Sequence, residues 1–145
     1  MKIKVDNFNI RVYAIIQNGR KILLSHELIN NKRVQKFPGG GVEYGEGIVE
    51  ALQREAMEEM NLTLKEIKHF YTTDFFQQSS FNKNDQLISI YYTAKLSKNI
   101  FGSKLTKNPS KNHPVFCWHN LNEISDKDFH FPIDKYVYSM LKKNY

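Results

Sequence analysis

The sequence predicts an α/β fold in the order strand, strand, helix, three strands and a final helix. Three observations carry this prediction. Asn18-Gly19 is a strong hairpin signal between the apolar runs 10–16 and 21–25. Residues 48–60 contain no proline or glycine and place apolar side chains at helical spacings of three and four. Residues 88–96 alternate apolar and polar side chains, which is typical of a half-buried strand.

The other elements follow from composition and helix-end signals. Residues 64–76 are mostly β-prone, and residues 115–119 form a further apolar strand. Pro132 suits the first turn of a terminal helix. The inner stripe of that helix is predicted to be Ile133, Val137 and Met140 or Leu141. The stripe of the helix at 48–60 is predicted to be Val49, Leu52, Ala56 and Met60.

Length and composition indicate one globular domain. The chain has 145 residues, so we predict a single domain over residues 1–145. Its content of 41% hydrophobic and 25% charged residues argues against disordered and fibrous classes. The N-terminal residues 1–12 alternate charged and apolar side chains, which predicts neither a signal peptide nor a membrane span. We therefore expect a cytoplasmic protein with no membrane partner.

The chain has a single cysteine, Cys117, which excludes an internal disulfide. It stands beside Trp118 on a predicted strand. We interpret it as a small buried hydrophobic side chain rather than a nucleophile.

Three glutamates form one patch on the first helix. Glu55, Glu58 and Glu59 stand at i, i+3 and i+4, about 5–6 Å apart on a helix surface. Each like-charge pair repels by roughly 3 kcal/mol at an effective dielectric near 20, and by under about 1 kcal/mol in water. The patch is therefore either a solvated helix face or, if partly buried, a site for a hard divalent cation such as Mg²⁺ or Mn²⁺.

The residues before this helix favour the cation site. Residues 38–47 contain one proline, five glycines and two glutamates. A backbone this free can bring carbonyl oxygens up to a cation, or present N–H groups and a helix N-terminus to phosphate oxygens.

These residues carry a family signature. The spacing G-x5-E-x7-R-E-u-x-E-E-x-G-u, with u apolar, is occupied by Gly40, Glu46, Arg54, Glu55, Ala56, Glu58, Glu59 and Leu62. The chain thereby resembles the Nudix hydrolases, and residues 40–62 are called the Nudix box below. The resemblance implies the Nudix-type α/β/α sandwich, with a mixed, curved β-sheet between helices. It covers most of the chain, but only the box is specific.

One box position departs from the family. Asn61 stands where the family has its last glycine, just past the helix end. Such a position favours the left-handed conformation, for which Asn is the next choice after Gly. We expect Asn61 to support the site at a small cost in stability, with no loss of function.

The resemblance implies a metal-dependent catalytic site. Glu58 and Glu59 are implied metal ligands, Glu55 is a ligand or the base that orients water, and a carbonyl of Gly39 or Gly40 is a further ligand. The remaining box residues Arg54 and Glu46 are implied supports that hold the carboxylates, a role close to that of a simple salt bridge. The implied enzyme is a Mg²⁺-dependent pyrophosphohydrolase, with Mn²⁺ as a possible substitute, in which water attacks phosphorus.

Some relatives take a further carboxylate from the loop equivalent to residues 98–113. This segment is long, shows no regular pattern and has no acidic residue. Asp85, Asp74 or Glu123 would have to substitute, or the box glutamates and water must suffice. The segment does carry Lys98, Lys104, Lys107, Lys111 and His113, so it is either a solvated loop or an arm that meets substrate phosphates.

Substrate-binding candidates lie outside the box. Arg11, Arg33 and Lys36 could contact terminal phosphates, or be surface charges. Phe81 lies in a polar turn and could stack on a nucleobase, although most aromatic residues of the chain belong to the core. Asp85 is a further candidate beside it.

Three classes of function remain open from the sequence. The first is hydrolysis of a nucleoside triphosphate or another nucleoside-diphosphate-linked compound, including ADP-ribose or a sugar nucleotide. The second is an RNA 5′-end pyrophosphohydrolase, motivated by the net charge of +6 and expected to show a steep salt dependence. The third is a non-catalytic nucleotide sensor, against which the intact glutamates argue. The sequence leaves monomer and homodimer both open.

Overall fold

The computed structural model describes residues 3–105 and 107–144. The described residues form seven strands: β1 Asn7–Asn18, β2 Lys21–Ile29, β3 Lys32–Lys36, β4 Gly39–Gly41, β5 Leu64–Thr72, β6 Asp85–Leu96 and β7 Val115–Asn120. The helices are α1 Ile48–Met60 and α2 Pro132–Lys143, and a short 3-10 turn covers Asp126–Asp128. None of the helices in the described ranges is long and apolar enough to cross a membrane.

The strands form one mixed sheet in which β1 is the central strand. The order is β3-β2-β1-β6-β5, with β4 pairing with β1 and β7 with β2. Only β1 and β6 run parallel. Ten residues of β1 pair with β6, whereas β1 meets β2 only at Gln17 and Asn18. β1 and β2 therefore diverge away from the turn that they share, and a gap opens between them in the sheet.

The two helices cover opposite faces of this sheet. Alternation along β1 and β2 directs successive side chains to opposite faces. Val12, Ala14 and Leu23 pack with α1 in one core cluster, whereas Ile15 and Ile22 pack with α2 in the other. This arrangement confirms the predicted α/β/α sandwich with a mixed sheet.

The structure adds two strands that the sequence did not predict. β3 follows a turn at Asn30-Asn31, where both residues have positive φ (49° and 64°). β4 consists of three glycines and pairs with β1 through Gly39, Gly40 and Gly41. Both strands are held by pairing to distant residues, which a local sequence pattern does not report. The turn of the first hairpin is also displaced by one residue, because Asn18 pairs with Lys21 and Gly19 takes the positive φ of 61°.

The helix bounds predicted at 48–60 are confirmed, with one error in the stripe. Leu52, Ala56 and Met60 are buried as predicted, but Val49 is 40% exposed and Ala51 takes its place in the core. In α2, Ile133, Val137 and Leu141 are buried as predicted. Tyr138 and Asp134 are also buried there, and the sequence did not indicate either of them.

The segment 98–113 contains no helix or strand in its described part, apart from a bridge between Ser110 and His113. Its first half is fixed against β7. The Asn99 Oδ1 atom accepts a hydrogen bond from Trp118 Nε1 at 2.9 Å, and the Phe101 ring lies 5.5 Å from that of Phe116. In this half, the segment covers the edge strand β7 instead of forming an arm.

Asn61 has the left-handed conformation predicted for it, with φ 56° and ψ 36°, and its N–H donates to the Met57 carbonyl at 3.0 Å. We expect Asn61→Gly to change the free energy of unfolding by less than about 1 kcal/mol, because glycine adopts this conformation without strain but is more flexible when unfolded. Turnover should not change. Denaturant titration and kcat measurements check both; a loss above about 2 kcal/mol would reveal a side-chain contact of Asn61.

Candidate functional site

Arg54 joins α1 to the loop before it. Its Nε and Nη2 atoms each donate to the Glu46 carboxylate at 2.8 Å, and Nη2 also donates to the Gly41 carbonyl at 2.9 Å. This paired hydrogen bond holds the pKa of Glu46 well below its usual range, at about 2. Arg54 Nη1 donates to Glu55 at 3.1 Å and to Glu58 at 3.2 Å. One guanidinium thus orients three box carboxylates.

Glu55 and Glu59 form a close carboxylate pair. Burial raises the pKa of Glu59 to about 7; the charges of Glu27 and Glu55 and a hydrogen bond to Glu55 add to this, while Lys36 opposes it. Burial thus disfavours the charged form of Glu59, and the neighbouring carboxylates add to this effect. A divalent cation at this place would favour the charged form and release the proton.

Glu58 stands apart from this pair. Its side chain is 58% exposed and is bound to Arg54. Among the described residues, the three box glutamates do not bring an oxygen each within 4.8 Å of one another. Glu58 therefore needs a rotamer change to join a shared cation.

The glycines of β4 allow this arrangement by having no side chain. A Cβ atom on Gly40 would lie 2.5 Å from Glu55 Oε1, so only glycine leaves room for the carboxylate against β4. A Cβ atom on Gly39 would lie 2.1 Å from the Val12 carbonyl oxygen, and Gly39 has a φ of 146°. The packing of Glu55 against β4 thus depends on the absence of a side chain at Gly40.

Lys36 is buried beneath the carboxylates and is not a surface charge. Its Nζ atom donates to Glu27 Oε2 at 2.9 Å and to the carbonyls of Phe37 at 3.0 Å and Gly39 at 3.4 Å. Burial acts to lower the pKa of Lys36, but the charges of Glu27 and Tyr13, the hydrogen bond to Glu27 and the charge of Glu59 together outweigh it, so the pKa is raised. Lys36 therefore offsets the negative charge of Glu55 and Glu59, which together form the acidic cluster of the site, and it orients the Gly39 carbonyl.

A cavity of about 390 Å³ lies next to this cluster. It occupies the gap where β1 and β2 diverge, and it is closed by β6, the loop 77–82 and the start of α2. Its charged lining residues are Arg11, Glu27, Lys36, Asp85 and Asp134.

Two parts of the cavity carry recognition groups. Arg11 donates from Nε to the Tyr13 hydroxyl at 2.8 Å. At the other end, Asp85 accepts hydrogen bonds from the amides of Asn7 at 3.1 Å and Asn9 at 3.4 Å. Phe81 lines the cavity, with its ring 6.1 Å from that of His130 and stacked on it.

The structure brings together most of the predicted substrate-binding residues. Arg11, Lys36, Phe81 and Asp85 all line the cavity. Arg33 does not line it. Arg33 is exposed and lies on β3 at a position whose side chain points to the opposite face from Lys36, which agrees with the alternative of a surface charge. The described residues of the segment 98–113 do not line the cavity either.

Among the carboxylates considered as substitutes for a loop acid, only Asp85 lines the cavity. Asp74 is exposed and accepts a hydrogen bond from the Tyr71 hydroxyl at 2.7 Å, and Glu123 is exposed. The predictions for Asp74 and Glu123 are therefore not supported.

Sequence reasoning missed three polar residues of the site: Glu27, Tyr91 and Asp134. Asp134 is buried and accepts hydrogen bonds from the Tyr91 hydroxyl and from the Phe37 N–H. Burial raises its pKa to about 6. A signal for Asp134 was present, because it is spaced three and seven residues from Val137 and Leu141 and so belongs to the inner stripe of α2.

Comparisons with known proteins agree with this geometry. The family model of the NUDIX domain matches residues 7–141. Among solved structures, a MutT structure from work on Aliivibrio salmonicida and Vibrio cholerae is similar at 21% identity and a TM-score of 0.67, over 96% of this chain and 100% of that one. A NUDIX hydrolase from Nitrosomonas europaea is similar at 17% identity and a TM-score of 0.72, over 94% of this chain and 89% of that one.

A MutT NUDIX hydrolase from Burkholderia pseudomallei is similar at 16% identity and a TM-score of 0.68, over 92% of this chain and 98% of that one. No curated protein sequence matches significantly. At these identities the structural neighbours show the fold, and the family model shows membership. The chain therefore belongs to the Nudix family, and it is a Nudix hydrolase of the general pyrophosphohydrolase class.

Proposed function

We propose that this enzyme cleaves the diphosphate linkage of a nucleoside triphosphate, or of another nucleoside-diphosphate-linked compound, with Mg²⁺ as the metal. The observation that carries the proposal is the position of Arg11 and Lys36. Both line the cavity, and both act electrostatically on box carboxylates, Arg11 on Glu55 and Lys36 on Glu59. The two cationic side chains thus lie between a nucleoside-sized cavity and the acidic cluster, where a polyphosphate chain would run.

The donor set suits a hard cation. Glu55, Glu59 and the Gly39 carbonyl are oxygen ligands of the kind that Mg²⁺ and Mn²⁺ prefer, and Glu58 can join them by rotation. When bound, such an ion neutralises phosphate oxygens and lowers the pKa of a coordinated water.

The chain's own residues supply the other requirements of hydrolysis. Arg11 compensates negative charge on the phosphates from the cavity side. Glu55, held by Arg54 at 3.1 Å, is positioned to orient the attacking water and to accept its proton. Arg54 and Glu46 keep the carboxylates in place and touch neither water nor phosphate in this scheme.

The far end of the cavity suits a nucleobase. Phe81 is stacked on His130 and in T-shaped contact with Phe131, and both phenylalanines line the cavity, so they supply an aromatic wall against which a base would pack. The carboxylate of Asp85 is an acceptor, so it favours a base that presents an N–H donor, such as an exocyclic amino group. The lysine-rich segment 98–113 contributes none of its described residues to this cavity, so the cavity gives no support to RNA as the substrate. RNA is the competing substrate in the test that follows.

The test is a substrate panel with Mg²⁺. Nucleoside triphosphates, sugar nucleotides, ADP-ribose, dinucleoside polyphosphates and 5′-triphosphorylated RNA are compared by kcat/KM, and released pyrophosphate is distinguished from orthophosphate. We expect a nucleoside triphosphate or another small nucleotide to be preferred, with a shallow salt dependence. Preference for RNA with a steep salt slope would replace this proposal with the RNA 5′-end reading.

Gly40→Ala should reduce turnover without unfolding the protein. The three nearest neighbours of its Cβ atom all belong to the Glu55 carboxylate, which can rotate away, so we expect a change in the free energy of unfolding below about 1 kcal/mol. The displaced Glu55 should lower kcat by about 10- to 100-fold, because small misplacements of a catalytic group are costly. Steady-state kinetics with denaturant titration checks both; unchanged kcat would show that Glu55 need not lie against β4.

A further inference from the structure

A second cluster of ligating side chains lies on the opposite face of β2 from Glu27. Leu24 of β2 pairs with Cys117 of β7, so their side chains lie on one face of the sheet. Side chains two residues further along a strand return to the same face, so His26 on β2 and His119 on β7 share this face. The Nε2 atoms of His26 and His119 are 3.2 Å apart. The Cys117 Sγ atom lies 3.2 Å from His119 Nε2 and 3.5 Å from His26 Nε2. Three ligand atoms from two strands therefore converge on one point.

Hydrogen bonding alone does not satisfy this triangle. A neutral imidazole carries its hydrogen on either Nδ1 or Nε2. If one ring donates from Nε2 to the other, the only other hydrogen is that of the thiol, so at most two of the three contacts are hydrogen bonds. If both rings carry the hydrogen on Nε2, the two N–H groups face each other. A cation at the centre would use all three lone pairs at once.

The dimensions of the triangle match a tetrahedral zinc centre. Zn–N bonds of about 2.0–2.1 Å and a Zn–S bond of about 2.3 Å place tetrahedral ligand atoms about 3.3–3.4 Å apart for N and N, and about 3.5–3.6 Å apart for S and N. The observed separations of 3.2, 3.5 and 3.2 Å differ from these by a few tenths of an ångström. The donor types also fit, because one thiolate and two imidazoles suit Zn²⁺ and not Mg²⁺.

We propose that His26, Cys117 and His119 form a Zn²⁺ site that is separate from the acidic cluster of the Nudix box. Binding forms one Zn–S bond and two Zn–N bonds, and the thiol hydrogen leaves as one proton released to solvent. Cys117 is buried and the two histidines are half-buried, so an ion enters past the imidazoles. Three protein ligands leave the fourth tetrahedral position for water.

The surroundings of the cluster are compatible with an ion. The two rings are neutral at physiological pH, since burial lowers the pKa of His26 to about 4 and lowers that of His119. The positive charge of Arg33 lowers the pKa of His26 and would repel a cation bound there. The negative charge of Asp128 acts to raise the pKa of His119 and would attract a cation. The site would tie β2 to β7 and thereby stabilise the folded chain.

The test is a Co²⁺ titration of the reduced, metal-free full chain in excess Mg²⁺, which occupies the carboxylates. We expect one equivalent of Co²⁺ to give intense visible bands of tetrahedral cobalt and a near-ultraviolet thiolate charge-transfer band, both removed by Zn²⁺. Zn²⁺ should release protons and raise the Tm of the chain. Absence of a charge-transfer band from the folded wild-type chain would overturn the proposal, whatever the variants do.

Matched variants identify the ligands. Cys117→Ser should abolish the charge-transfer band, and His26→Gln and His119→Gln should each weaken Co²⁺ binding at least tenfold. Glu59→Gln, which removes a carboxylate of the Nudix box, should leave the bands unchanged, so this result is independent of the hydrolase assignment. Circular dichroism confirms that each variant is folded. A band that persists at full strength in both histidine variants would overturn the three-ligand site.

Discussion

Glu59→Gln is expected to lower kcat by about a thousandfold at saturating Mg²⁺, which corresponds to about 4 kcal/mol of lost transition-state stabilisation. The carboxylate of Glu59 is part-buried beside Glu55, and an amide oxygen carries no charge with which to hold a hard cation there. The measurement is steady-state kinetics with the preferred substrate. A variant that keeps near-full Mg²⁺-dependent activity would remove Glu59 from the site.

Two controls separate this effect from unfolding and from a change in net charge. Glu123→Gln alters an exposed glutamate outside the site and should leave kcat nearly unchanged. The second control is the stability of Glu59→Gln without metal. The pKa of Glu59 is raised from 4.5 to about 7, so between these values the folded chain holds a proton that the unfolded chain has lost. Wild-type stability therefore falls as pH rises through this window.

Glutamine cannot ionise, so the variant should not show that fall. In chelator, above the pKa of Glu59, its free energy of unfolding should exceed the wild-type value by on the order of 2 kcal/mol, discounted because the carboxyl is partly exposed. Below the unfolded pKa the two proteins should be similar. Denaturant titrations across the window check the sign; a variant less stable than wild type above neutral pH would contradict the burial of charge at Glu59.

Gly39→Ala is expected to destabilise the fold by more than about 4 kcal/mol, enough to unfold a protein of ordinary stability. The added Cβ would lie 2.1 Å from the Val12 carbonyl oxygen and 2.8 Å from the Tyr13 Cα atom, at a φ of 146°. These are backbone atoms of β1, so no side-chain rotation relieves the clash and β4 must leave the sheet. Denaturant titration and the yield of soluble protein measure the effect.

Gly41→Ala is the matched control on the same strand. Its Cβ would have the Arg11 Nη1 atom as its nearest neighbour, at an ordinary contact distance of 3.5 Å. We expect a change of less than about 1 kcal/mol. Equal stability of the Gly39→Ala and Gly41→Ala proteins would contradict the pairing of β4 with β1.

The parts of the site that the sequence predicted are local in the chain. Residues 48–60 form the predicted helix because propensity and apolar periodicity act over a few turns. The contacts of Arg54 with Glu46, Glu55 and Glu58 also span at most eight residues. A signature with fixed spacing can report such contacts, since helical winding brings its members together.

What the sequence left open or did not indicate concerns residues whose environment depends on distant strands. Lys36 has a charge that suggests a surface position, but pairing of β3 with β2 brings it against Glu27 and buries it. Arg33 is also positively charged, but it lies three residues before Lys36 on the same strand, so its side chain points to the opposite face of the sheet. Asp134 reaches the site only because α2 packs on the far face of the sheet, against Tyr91.

By itself, the sequence determined the family, the acidic helix and the glycine run, because these depend on spacings within about two dozen residues. The tertiary structure decided where the cavity opens, which of the cationic side chains face it, and that His26 meets Cys117 and His119 across ninety residues of chain. The physical reason is that strand register and the divergence of β1 from β2 are set by packing of the whole sheet between two helices. A one-residue change of register would turn each of these side chains to the other face.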